Sequence, residues 1–278
     1  PVAMFGRLVA PFDREWSHPK LVGALVAIVL PLGAGLLAGG ATAAALEVGP
    51  VVGTILAGLV LFSTVSLRML VSVAREVIEG TESDPAGARE SVSALVGRET
   101  ASLSAGELRS AAVESAAENL ADGVVAPLTA FALGAHVSLA VGVGAAVWVK
   151  AVNTLDSMLG YHSKPVGWAS ARLDDIVMWL PARISAACIA VAAGKPRALL
   201  RAREWAAAPP SPNSGWPMAT LAAVLDVRLT KAKAYVLNPD AALPAARDAN
   251  QGTRIVTGAG LLAFLLAGLV AGLAGVSG

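Results

Sequence analysis

The chain has 278 residues, 55% of them hydrophobic and only 15% charged, against about 25% charged in an ordinary soluble domain. Its mean hydropathy of +0.65 places it in the membrane class. A net charge of +1 offers no basic field to a nucleic-acid backbone, and a single cysteine, Cys188, excludes an internal disulfide and a cysteine-based metal site.

Spanning a hydrocarbon core takes about 20 apolar residues. In chain order the candidates are 21–46, 48–72, 124–149, 176–193 and 255–277. The first two are joined by a short turn around Glu47, Gly49 and Pro50. Segment 124–149 is interrupted by Pro127, Gly134, His136, Gly142 and Gly144, and segment 176–193 contains Pro181 and Arg183. The last is rich in small residues, Gly258, Gly268, Gly272 and Gly275, which permit close helix packing. Between the spans, residues 73–123 mix acids and bases. There Ser104 and Glu107 form the pattern of a capping box at a helix start. Residues 194–254 hold nine basic side chains and a turn-rich run at 209–215. No strand alternation and no internal repeat is present. The expected architecture is an all-α, polytopic membrane helical bundle with broken or re-entrant helices and polar helical loops, organised as one integral-membrane domain over 1–278.

The positive-inside rule assigns the N-terminal stretch and loops 73–123 and 194–254 to the cytoplasm. If 124–149 and 176–193 each cross once, the polar stretch 150–175 falls on the opposite side from loop 73–123. If both are broken or re-entrant, all the polar motifs share one side. Pro127, Gly134 and Pro181 supply the breaks that the second arrangement requires.

Four constellations carry candidate chemistry. Glu114, Glu118 and Asp122 recur every four residues, so a helix would stack three carboxylates in one stripe, with Asn119 adjacent. Repulsion at this spacing is relieved either by a hard cation such as Mg²⁺ or by a solvated face partnered by Arg98 or Arg109. Lys150, Asn153 and Asp156/Ser157 fall on one helical face directly after an apolar segment. A snorkelling lysine explains Lys150 but neither Asn153 nor Asp156. In Arg172-Leu173-Asp174-Asp175 the pair Arg172 and Asp175 is spaced to interact, which leaves Asp174 for a metal or for Arg183; an ion-pair network between helices is the alternative. Ser211-Pro212-Asn213-Ser214-Gly215 is a rigid turn able to aim the Asn213 amide. Neither a GxxxxGK[ST] loop, nor GxGxxG after a strand, nor a GxSxG elbow occurs, and His18, His136 and His162 lack zinc-ligand spacing. Any use of ATP is therefore expected without a standard nucleotide fold.

These residues resemble the adenosylcobinamide-phosphate synthase family of cobalamin biosynthesis, the CbiB/CobD membrane proteins. The matching pieces are Gly97-Arg98, Ala112-Val113-Glu114-Ser115 with Glu118-Asn119 and Asp122-Gly123, then Asn153-Thr154-Leu155-Asp156-Ser157-Met158 with Gly160-Tyr161. Gly167-Trp168-Ala169, Ala171-Arg172-Leu173-Asp174-Asp175, Pro181-Ala182-Arg183 and Ser211-Pro212-Asn213-Ser214-Gly215 follow in order. Many members carry Glu where Met218 stands and His where Pro209 stands.

The resemblance implies an amide ligase joining adenosylcobyric acid to (R)-1-aminopropan-2-ol or its O-phosphate, with ATP and Mg²⁺, in the cell membrane as a multi-pass protein. Glu114, Glu118, Asp156, Arg172 and Asp175 are the candidate catalytic residues. Arg98, Asn119, Lys150, Asn153, Ser157, Tyr161, Arg183 and Asn213 are candidates for binding substrate, and Glu114, Glu118, Asp122, Asp174 and Asp175 for metal. The expected partners are the corrinoid, the aminopropanol compound and the lipid bilayer, with a second copy or other cobalamin-assembly membrane enzymes as protein partners. Nucleic acid is not expected. A transporter, in which intramembrane Asp, Glu and Arg form an ion path, and a non-catalytic sensor are the alternatives from other classes.

Overall fold

The structure is a computed structural model that describes residues 2–96, 102–160 and 164–276. Arg98 and Tyr161, both expected at the site, lie outside the described residues. The fold is all-α with the composition of a polytopic membrane protein. Helix α1 (Val2–Val9) and a short 3-10 turn lead to α2 (Pro19–Val48). Gly49 ends α2, and Pro50 occupies the first turn of α3 (Pro50–Thr64), where its missing N–H costs nothing. Next come α4 (Leu67–Ser83), α5 (Pro85–Val96) and α6 (Ala105–Leu120). The capping box at the start of α6 is formed as the sequence implies: Glu107 N–H donates to Ser104 Oγ, and Ser104 N–H donates to the Glu107 carboxylate at 2.8 Å.

A π-helical turn, Ala121–Val125, connects α6 to α7 (Ala126–Ala135). The chain then breaks, and Ser138, whose Oγ accepts from Val141 N–H at 3.1 Å, starts α8 (Leu139–Leu159). The segment 124–149 is thus not one span. The stretch long enough to cross is α8, and α7 folds back against it as a hairpin, with the backbones of Gly134 and Gly142 in close approach. The expected segment 176–193 is likewise interrupted: α9 (Trp168–Val177) stops at Met178 and α10 (Trp179–Ala192) begins at once.

Two short helices follow, α11 (Ala198–Ala202) and α12 (Gly215–Leu225), and the long α13 (Ala246–Val276) closes the chain. Between α12 and α13 lies an antiparallel pair, β1 (Leu229–Lys231) and β2 (Tyr235–Leu237), with Thr230 opposite Val236. The sequence gives no sign of it, because three residues per strand are too few for an alternating pattern to register. The helices long and apolar enough to cross a membrane cover Pro19–Val48, Pro50–Ser83, Leu139–Leu159 and Ala246–Leu273. Leucines such as Leu36, Leu59 and Leu265 are more than half exposed on them, as expected of surfaces that hydrocarbon covers.

By contact density the chain divides into two units. The first comprises residues 1–66, 122–178 and 264–278. In it α2 crosses α8, which also packs on α1, α3, α7 and α9. The α2–α8 crossing is made at glycines: a Cβ on Gly35 would stand 2.8 Å from Gly144 O, so only a hydrogen fits. The second unit, residues 67–121 and 179–263, packs α6 against α4, α5, α12 and β1, and α10 against α12. Its interior is built largely from alanine, including Ala111, Ala116, Ala186 and Ala222, which lets helix backbones approach closely.

Gly35→Ala is expected to destabilise the detergent-solubilised protein by about 1–3 kcal/mol through overpacking. Gly40→Ala, where an added Cβ meets nothing within 4 Å, should leave the melting temperature unchanged or slightly raised. Equal effects of the two substitutions would show that the crossing is not the tight contact described.

Candidate functional site

In the first unit, the α7–α8 hairpin determines which polar groups meet. Asp122 lies at the foot of α7, and folding back at residues 136–138 brings it to the polar face of α8 that carries Lys150, Asn153 and Asp156. Asn153 is buried, and its side-chain amide is within hydrogen-bonding reach of the Asp122 and Asp174 carboxylates. Lys150 and Asp156 stand close enough to Asp122 to act on its charge, and Asp174 feels both Asp122 and Asp156. Three carboxylates therefore gather around one lysine and one amide. The Oδ1 atom of Asp174 is buried and has no hydrogen-bond partner among the described residues.

Burial pushes the Asp122 carboxyl up to about 6; the Asn153 hydrogen bond and the Lys150 charge oppose the rise, and Asp156 adds to it. Lys150 also lines a recess of about 150 Å³ together with Phe5, Ala34, Ser63 and Thr64. The hydroxyls there are occupied by their own helices, Ser63 donating to Val60 O, Thr64 to Leu61 O and Thr154 to Lys150 O.

The adjacent acids of α9 separate as the helical geometry requires. Asp174 turns to the cluster, and Asp175 pairs with the exposed Arg172 at 3.5 Å. Ser157, expected to contact substrate, donates its hydroxyl to Asn153 O at 2.8 Å.

The second unit treats its carboxylate differently. Glu114 is 4% exposed, and both of its oxygens are engaged: Oε1 accepts from Ser110 Oγ and Oε2 from Tyr235 OH, each at 2.7 Å. Ser110 Oγ in turn accepts from Thr230 N–H at 2.8 Å, so the carboxylate fastens the β1–β2 hairpin onto α6. Tyr235 OH also lies 3.6 Å from Met218 Sδ. Nothing local in the sequence announces Tyr235, which is 121 positions from Glu114.

Of the three acids expected to stack every four residues, only Glu114 and Glu118 lie within α6. Asp122 falls within the π-helical turn, where the wider helix no longer keeps a four-residue spacing on one face. Among the described residues, no group of three or more His, Cys, Asp or Glu side chains is arranged to hold a metal by itself. Asn119 donates to Ser115 O and Ser115 Oγ, and Arg109 donates to Pro244 O and Thr81 Oγ1 rather than serving the α6 acids.

Arg183 and Asn213, on separate motifs in the sequence, are brought together. Arg183 Nη1 donates to Asn213 Oδ1 and to Trp179 O, and the guanidinium lies over the rings of Trp179 and Trp216, 4.8 and 5.2 Å from their centroids. These contacts orient the planar cation. Ser211 shapes the turn beneath it by accepting from the Asn213 and Ser214 N–H groups.

Tyr235→Phe leaves Glu114 Oε2 buried without its donor and is expected to cost about 1–3 kcal/mol in denaturant or thermal unfolding. An unchanged midpoint would place the anchoring of the hairpin elsewhere. The Asp122 carboxyl gives a second test. Its folded-state value lies above that of the unfolded chain, so its contribution is favourable while the acid is protonated. That contribution is lost as pH rises from about 3.8 through about 6. Asp122→Asn should flatten the pH dependence of the melting temperature across that window; a profile identical to the parent's would contradict the burial of this group.

The chain matches the family model described as CobD/Cbib protein over residues 1–263. It is 34% identical to the probable cobalamin biosynthesis protein CobD of Methanothrix thermoacetophila, over 97% of this chain and 89% of that protein. It is 35% identical to the cobalamin biosynthesis protein CobD of Rhodobacter capsulatus, over 100% and 91% of the two chains. The Geobacter metallireducens protein of the same name is 35% identical, over 97% and 89%. No solved structure matches this chain.

Proposed function

Because this chain belongs to the CobD/CbiB family of cobalamin biosynthesis, we propose that it is the amide ligase of that route. It joins a propionate carboxyl of adenosylcobyric acid to the amine of (R)-1-aminopropan-2-ol or its O-phosphate, in the cell membrane, at the expense of ATP and with Mg²⁺. The observation that best supports this reading is the gathering of Asp122, Lys150, Asn153, Asp156 and Asp174 at the open end of the α7–α8 hairpin.

Amide formation from a carboxylate has two chemical requirements. The carboxyl oxygen must become a leaving group, most simply by phosphorylation, and the amine, an ammonium ion at neutral pH, must lose a proton before it attacks. A carboxylate pushed up to about 6 is suited to the second task, since a base works best when its affinity for protons lies near the working pH. Asp122 is therefore assigned as the base, with Asp156 raising its basicity and Asn153 holding its orientation. Lys150 steadies the acyl or phosphoryl oxygens, whose negative charge grows as the bond to the amine forms. The exposed Arg172 serves an anionic group of the substrates; Arg183 with Asn213, in the second unit, is a separate candidate for binding an anion.

The buried, unpartnered Oδ1 of Asp174 beside two further carboxylates fits a hard divalent cation. Mg²⁺ is usually held by one or two carboxylates, substrate phosphates and water, so a full protein cage is not required. Asp174 with Asp156 would hold it, and it would neutralise the nucleotide phosphates; Asp175, expected among the ligands, is turned to Arg172 instead, and Asp122 is kept for the base. Glu114, whose oxygens are both engaged, is assigned to positioning α6 and the β hairpin.

The test is turnover of the protein in lipid or detergent with adenosylcobyric acid, aminopropanol phosphate, ATP and Mg²⁺, followed by mass spectrometry of the corrinoid. Amide should form only with both ATP and Mg²⁺. Asp122→Asn and Asn153→Ala should lower turnover by about 100-fold or more, and Asp175→Lys should abolish it while leaving the protein extractable. A preparation that binds corrinoid yet yields no amide with either amine would refute the ligase reading. Full activity of Asp175→Lys would confine the Arg172–Asp175 pair to a structural role.

A further inference from the structure

We propose that the basic recess at the end of α10 docks the headgroup of an anionic phospholipid. Helix α10 is closed by Gly194, whose φ of +65° is the left-handed conformation that a glycine adopts without penalty. Gly194 N–H donates to Val191 O and Lys195 N–H to Ala190 O, both at 2.9 Å, so the chain turns back at once. Four cations follow within nine positions, Lys195, Arg197, Arg201 and Arg203, against one acid, Glu204. Lys195, Arg197 and Arg201 line an open recess of about 790 Å³ whose remaining charged wall is Asp226.

The cations are not consumed by the fold. Arg201 answers Asp226 at 3.1 Å, and the Lys195 ammonium donates to Val224 O at 2.7 Å, which satisfies one of its three protons. Arg197 on the recess wall, and Arg203 two positions beyond the lining Arg201, are exposed and have no ion pair among the described residues. The recess therefore presents a positive field that asks for an anion.

Its neighbours select the source of that anion. Val191 and Leu200 are 58% and 62% exposed beside the cations, and Arg201 lies over the ring of Trp205 at 5.7 Å. Exposed aliphatic side chains, an aromatic ring and basic residues directly after an apolar helix are what a membrane–water interface accommodates: acyl chains against Val191 and Leu200, phosphate against the cations. A soluble phosphate compound would meet the charges but leave the apolar side chains in water.

Native mass spectrometry of the full-length protein, titrated with phosphatidylglycerol and in parallel with phosphatidylcholine, tests this. The protein should retain phosphatidylglycerol preferentially. The double variant Arg197→Gln, Arg203→Gln should weaken that retention about 30-fold, each cation near a membrane surface contributing about fivefold. The lysine double variant, which keeps both charges, should restore most of it. Leu200→Ser should weaken phosphatidylglycerol more than a short-chain analogue with the same headgroup. Both altered arginines are exposed, so melting should not change. Undiminished retention in the glutamine variant, or equal losses for phosphatidylcholine, would overturn the proposal. Displacement of phosphatidylglycerol by ATP or inorganic phosphate would also overturn it, by making the recess a site for soluble phosphate. Because the readout is lipid retention, failure here is distinguishable from failure of the ligase reading.

Discussion

Charge at membrane depth is tolerated only where it finds polar company, and in this protein the turn at residues 136–138 provides it. Asp122 precedes an apolar segment and Asn153 follows one; a straight passage through 124–149 would separate them by the thickness of a bilayer. Folding α7 back on α8 puts both at the same end of the hairpin. The close approach of Gly134 and Gly142 keeps the two helices tight enough for the register to hold. Lys150, Asp156 and Asp174 then join a group whose members moderate one another's charge.

The two units solve the problem of a buried carboxylate in opposite ways. Glu114 has both oxygens supplied with donors from a neighbouring turn of α6 and from a distant hairpin, which makes it a fastening. Asp174 keeps a buried oxygen without a donor, and its neighbours are further acids. Arrangements of the second kind cluster at functional sites. This contrast, rather than the number of acids, separates the candidate site from the scaffold.

The arginines show the same division. Arg172 is exposed and holds Asp175 loosely, and Arg109 is spent on a carbonyl and a hydroxyl. Arg183 lies over two tryptophan rings and is bonded to Asn213. Arg197 and Arg203 make no ion pair among the described residues, at a surface where apolar side chains are also exposed. The same residue type thus serves packing, orientation and surface attraction according to what surrounds it.

The sequence by itself determined the helical class, the membrane character, the start of α6 and the motifs from which the family is legible. Each of these rests on local composition or on residues close in the chain, as the capping box of Ser104 and Glu107 does. It also identified Asn153 and Asp156 as polar groups without a local reason to exist. What only the tertiary structure decided is which of these groups meet. Asp122 fell in a π-helical turn rather than on regular helix, the break implied by Pro127 and Gly134 was placed at residues 136–138 where it makes a hairpin, and Tyr235 reached Glu114 from a strand too short to be seen as a pattern. Periodicity carries direction only along an unbroken helix, and each of these outcomes depends on a break in one or on a contact between residues far apart in the chain.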